Sequence, residues 1–116
     1  MAFIDTKERP QGEQVDAITP TKLKLSEAIR IGAKIRPQCS GEWYREGKSC
    51  AMGAAAEADG WKDYAVQYRN KNIVYPWMRF KKRFGIDDAM QEHIWRRNDS
   101  GESRESIADW LESQGL

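Results

Sequence analysis

The most reactive side chains in this 116-residue chain are two cysteines, Cys39 and Cys50, and a single histidine, His93. Cys50 precedes the run Ala51-Met52-Gly53-Ala54-Ala55-Ala56, which places it at the start of an expected helix, where the dipole lowers a thiol pKa. With His93 as base and Asn98 or Asp99 as orienting group, the set needed by a small cysteine-dependent enzyme is present in the sequence. The competing reading carries more weight: a cysteine leading an alanine-rich helix is usually a small packed residue, and a histidine beside Met90 and Ile94 is usually a core-edge ring. Cys39 and Cys50 could pair across the chain between them, although a reducing cytoplasm argues against a persistent bond and the sequence leaves their separation open. Two cysteines and one histidine do not complete a four-ligand zinc site without carboxylates, so neither a metal nor another cofactor is expected.

Gly47-Lys48-Ser49 invites comparison with a phosphate-binding loop. That pattern needs a glycine five residues before Gly47, where Glu42 stands, and Trp43, Tyr44 and Arg45 are too bulky for backbone amides to cradle a phosphate. Nucleotide hydrolysis is therefore set aside. A charge asymmetry is more informative. Residues 64–86 hold six cations (Arg69, Lys71, Arg79, Lys81, Lys82 and Arg83) and no acid, whereas residues 87–116 hold eight acids and three arginines. An advance of about 100° per residue gathers Trp77, Phe80 and Phe84 on one helix face and turns Arg79, Lys82 and Arg83 to the opposite side, with Lys81 flanking the aromatics. Arg69, Lys71, Arg79, Lys82 and Arg83 are accordingly the expected binding residues, for nucleic acid or an acidic protein partner. The plainer reading makes the aromatics core and leaves the cations to solvate the surface. A helix-turn-helix ending in a recognition helix at 103–113 is disfavoured, because Glu105, Asp109 and Glu112 would face DNA phosphates against Arg104 alone.

These residues require elements to position them. Ser26 fits the N-cap of an apolar helix that Pro37 ends, and Gly32 and Ala33 at its centre permit close approach by Ala54 or Ala55 of the alanine-rich helix. Glu46-Gly47 between Trp43-Tyr44-Arg45 and Lys48-Ser49 predicts a small hairpin. Gly60 stops the alanine-rich helix, and further helical turns are expected from Trp61 to Tyr68. Pro76 opens the aromatic helix and Gly85 closes it; Asp87 caps a helix aligning Ile86, Met90 and Ile94, with Trp95 turned away; Ser103 caps the last helix after a loop, Asn98-Asp99-Ser100-Gly101-Glu102. The expected fold is mainly α: a compact bundle of four to six short helices with one small β-hairpin. Residues 1–21 read as a flexible arm and 22–116 as one domain, in keeping with the length, 40% hydrophobic and 32% charged composition and mean hydropathy of −0.81. No signal peptide or membrane-spanning run is evident, which makes the cytoplasm the expected compartment and a membrane partner unexpected.

Leu25-Ser26-Glu27-Ala28-Ile29-Arg30, the Cys50-Ala51-Met52-Gly53-Ala54 helix opening, and Asn98-Asp99 followed by Ser103-Arg104-Glu105-Ser106-Ile107-Ala108-Asp109-Trp110-Leu111 resemble a group of small uncharacterised bacterial and phage proteins. The resemblance covers about half the chain and implies a compact helical domain of phage or mobile-element origin. It implies no activity. Some similar sequences carry a Cys-Pro-x-Cys element where Tyr75-Pro76-Trp77-Met78 stands here, so no metal site carries over. Taken together, these features predict a non-catalytic binding or interaction protein. A nucleic-acid binder using residues 64–86 is the alternative, and a small thiol enzyme the third class.

Overall fold

A computed structural model defines residues 22–61 and 74–116, with side chains from Trp77 onward in the second stretch. The expected arm over 1–21, the expected helical turns after Trp61, and Arg69 and Lys71 lie outside the described residues. Within them are five helices and one hairpin: α1 (Leu25–Ala33), β1 (Tyr44–Arg45), β2 (Lys48–Ser49), α2 (Ala51–Ala58), α3 (Val74–Phe84), α4 (Asp88–Asp99) and α5 (Arg104–Ser113). This is the mainly α architecture with a single small hairpin that the sequence predicts.

α1 begins one residue before the expected cap. Lys24 N–H donates to the Glu27 carboxylate at 2.8 Å, so the acid of the first turn satisfies the free amide. Ser26 is therefore not the cap; it lies inside α1, buried, and its hydroxyl donates to the carbonyl of Leu116. The close helix contact is formed as expected. A Cβ on Gly32 would lie 1.9 Å from the carbonyl oxygen of Ala54, so α1 and α2 meet backbone to backbone. Gly53 is equally constrained, since a Cβ there would lie 2.1 Å from Trp43 O.

Glu46 and Gly47 have φ of 50° and 80°, the pair of left-handed residues that a two-residue hairpin turn demands. Tyr44 pairs with Ser49 and Arg45 with Lys48. A third segment joins them: Gln38 forms a parallel bridge to Ser49. The hairpin delivers Trp43 into the core, where its ring lies 6.2 Å from Trp61, 5.8 Å from Trp77 and 5.5 Å from Phe80. Phe80 and Phe84 are buried, so the aromatic face of α3 is core. Asp87 caps α4 by accepting from Met90 N–H at 2.8 Å, and Ser103 caps α5 by accepting from Ser106 N–H at 3.1 Å. α4 runs through Asn98 and Asp99, which makes these residues its last turn and not the expected loop. Among the described residues, no helix is long and apolar enough to cross a membrane.

Candidate functional site

Asn98 follows Met90 and Ile94 at intervals of four residues, so α4 turns it inward with them. It is buried beside the bend joining the hairpin to α2. Its Oδ1 accepts from Ala51 N–H at 3.0 Å and from Gln38 Nε2 at 2.9 Å, while Nδ2 donates to Cys39 O at 2.8 Å. An α4 side chain thereby caps the N-terminus of α2. Asp99 accepts from Gly41 N–H at 2.9 Å. Arg104 belongs to the buried face Arg104, Ile107, Ala108, Leu111 and is only 6% exposed, which corrects the expectation that it faces outward. Its guanidinium donates to Arg36 O at 2.7 Å and to Ser49 Oγ at 3.0 Å, and reaches Ala33 O at 3.4 Å. A cation at the C-terminal carbonyls of α1 is well placed with respect to the helix dipole, although burial pulls the Arg104 pKa down. Sequence reasoning assigned these two residues to a loop and to an exposed face; the signal it passed over was their spacing from Ile94 and to Ile107.

The thiol chemistry is held in this same region. Cys50 caps α2, with Sγ accepting from Gly53 N–H at 3.4 Å, and is 2% exposed. Burial outweighs the helix amides and pushes its thiol up to about 12. Cys39, also buried, donates Sγ–H to Glu42 O at 3.4 Å, and its thiol too is raised, mainly by burial. Both cysteines are free. His93 stands exposed on α4, packed on the Trp110 ring at 4.5 Å, while Asn98 and Asp99 spend their hydrogen bonds on the 38–51 segment. The nucleophile–base–orienter set is therefore not assembled as a unit. No group of three or more metal-binding side chains occurs among the described residues.

Glu105, Asp109 and Glu112 line one face of α5, where α1 supplies Arg30 to all three at 3.0, 2.6 and 2.7 Å. Asp109 foremost, with Glu112, raises the Arg30 pKa further above its already high value. The acidic face is thus met from within the molecule.

The remaining expected binding residues are on α3. Arg83 grips Asp59 with Nη2 at 2.7 Å and Nε at 3.0 Å and also donates to Leu23 O at 3.2 Å, fixing α3 to the end of α2. Arg79 lies over the Trp61 ring at 4.0 Å with its residue exposed, and Lys82 is exposed. Among the described residues neither has a carboxylate partner. Lys81 is paired with Asp88 across the α3–α4 junction. Arg79, Lys81 and Lys82 line an open groove of about 740 Å³ together with Met78, Ile86, Asp87 and Asp88. Met78 is 59% exposed and Trp95, edge-on to Trp77 at 5.3 Å, is 39% exposed. The structure brings Arg79 and Lys82 into one groove with the exposed Met78 and ties Arg83 to Asp59. Compared with known proteins, the chain matches no family model, no curated protein and no solved structure.

Proposed function

We propose that the protein is a non-catalytic interaction domain of the cytoplasm that docks an acidic protein partner on the outer face of α3. Arg79 and Lys82 carry the charge recognition, with Arg69 and Lys71 of the same acid-free stretch, and Met78 supplies the apolar centre. Arg83, held by Asp59, adds to the field without meeting the partner directly. The observation that carries this reading is the exposure of Met78 in one groove with two cations, Arg79 and Lys82, that lack a carboxylate partner among the described residues. An exposed methionine sharing a groove with an arginine suits a protein contact, where both residue types are enriched. Nucleic acid, the second reading, is favoured by the absence of acids from 64 to 86, but Asp87 and Asp88 in the same groove and the pairing of Lys81 and Arg83 reduce the charge available to phosphates.

The test is capture of partners by the purified protein with and without nuclease, in parallel with Met78→Asp and Lys82→Glu. The proposal expects a nuclease-resistant partner that both variants lose while their circular dichroism stays that of the wild type. Release by nuclease transfers the role to the nucleic-acid reading, and retention by both variants removes this face from the account.

A further inference from the structure

The two free thiols lie one register step beyond a parallel backbone rung. Cys39 N–H donates to Ser49 O at 3.1 Å and Ser49 N–H donates to Pro37 O at 2.9 Å, which makes Gln38 and Ser49 register partners. Advancing both chains by one residue pairs Cys39 with Cys50. Partners on neighbouring strands lie about 4.8 Å apart and project from the same face, within the roughly 4.4–6.8 Å that a disulfide spans between Cα atoms. The following rung would join Ala51 N–H to Cys39 O. Asn98 occupies it instead, its carboxamide accepting from the first and donating to the second, so the chains part just past the cysteines.

We propose that Cys39 and Cys50 are a reversible redox pair, closed to a disulfide by exchange with a low-molecular-weight disulfide of the glutathione class. Access sets the order of events. Cys39 lines an open polar pocket of about 360 Å³ together with Arg45, Glu46 and Lys48, whereas Cys50 does not line it and is the more deeply buried of the two. Arg104 is within electrostatic reach of both sulfurs and opposes the burial that keeps Cys39 protonated. Cys39, deprotonated, attacks one sulfur of glutathione disulfide; a protein–glutathione disulfide forms and one glutathione thiolate leaves. Cys50 gives up its proton and attacks the Cys39 sulfur, expelling the second glutathione. The protein loses two hydrogens, and both are carried away by the two glutathione molecules. Burial of both thiols makes the reaction slow, which suits a pair that responds to sustained oxidation.

The test uses the full, reduced, folded chain incubated with excess glutathione disulfide, quenched in acid and read by intact mass and peptide mapping. The expected product is lighter by two hydrogens, with Cys39 linked to Cys50, a Tm raised by roughly 5 °C or more, and full reversal by dithiothreitol. Cys50→Ala should stop at a glutathione adduct on Cys39, and Cys39→Ala should give neither adduct nor disulfide. The proposal is overturned if the wild type keeps both thiols free, if it stops at the glutathione adduct, or if the link appears only in urea that abolishes the near-ultraviolet circular dichroism.

Discussion

Asn98 has both carboxamide ends engaged: Oδ1 accepts from Ala51 and Gln38, and Nδ2 donates to Cys39 O at 2.8 Å and to Asp99 at 3.4 Å. Replacing it by alanine strands a buried carbonyl and a buried helix amide at once. At about 1–3 kcal/mol for each unsatisfied group, Asn98→Ala should lose roughly 2–6 kcal/mol in a urea titration; a loss below about 1 kcal/mol would show that water replaces the side chain. Cys50 yields a pH signature. The folded thiol keeps its proton to about pH 12, whereas an unburied one loses it near 9.0. Between those values the unfolded state binds fewer protons, so stability falls as pH rises through this window and the term is fully present below it. Cys50→Ala should therefore be less stable than wild type at pH 7, with the gap narrowing from pH 9 upward. A gap that stays constant would mean that Cys50 ionises as easily folded as unfolded.

Elements that close on themselves were legible in the sequence. Asp87 and Ser103 cap the helices they precede, the Glu46-Gly47 turn forms the hairpin, and the 100° arithmetic sends Phe80 and Phe84 into the core, because every one of these signals acts within four residues. The close contact of α1 with α2 was legible for a related reason, since small residues announce where backbones can meet. Gly32→Ala places a methyl against the Ala54 carbonyl, which cannot move without disturbing α2. The expected loss is about 1–3 kcal/mol, the range for overpacking, read as a lowered urea midpoint; an unchanged midpoint would mean that the two helices slide apart at no cost. What was not legible is how the ends of one pair of helices are served by another. Asn98 caps α2 from 47 residues away and Arg104 reaches the end of α1 across 71, and no local pattern names a partner that distant. The acidic face of α5 misled for the same reason: its counter-charge, Arg30, belongs to α1.

At the scale of the whole molecule, the described polar chemistry divides into two kinds. Asn98, Arg104, Arg83 and Arg30 are spent on holding α1, α2 and the hairpin against α3, α4 and α5. Among the described residues, Arg79, Lys82 and Met78 are tied down by no carboxylate and no deep burial, and they share one groove. Of the site residues read from sequence, these two cations line that groove, Arg83 is half-buried and paired with Asp59, and Arg69 and Lys71 lie outside the described residues. The central claim is that this surface of α3 binds an acidic partner and that the acidic face of α5 does not. The most direct measurement is the affinity of the captured partner for wild type, Arg79→Ala/Lys82→Ala and Glu105→Gln/Glu112→Gln, each followed from low to high salt. The α3 double variant is expected to bind at least tenfold more weakly, a change of about 1.4 kcal/mol, and to lose much of the salt dependence, while the α5 variant binds as wild type does. Unchanged affinity and salt dependence in the α3 variant, or a loss confined to the α5 variant, would contradict the account.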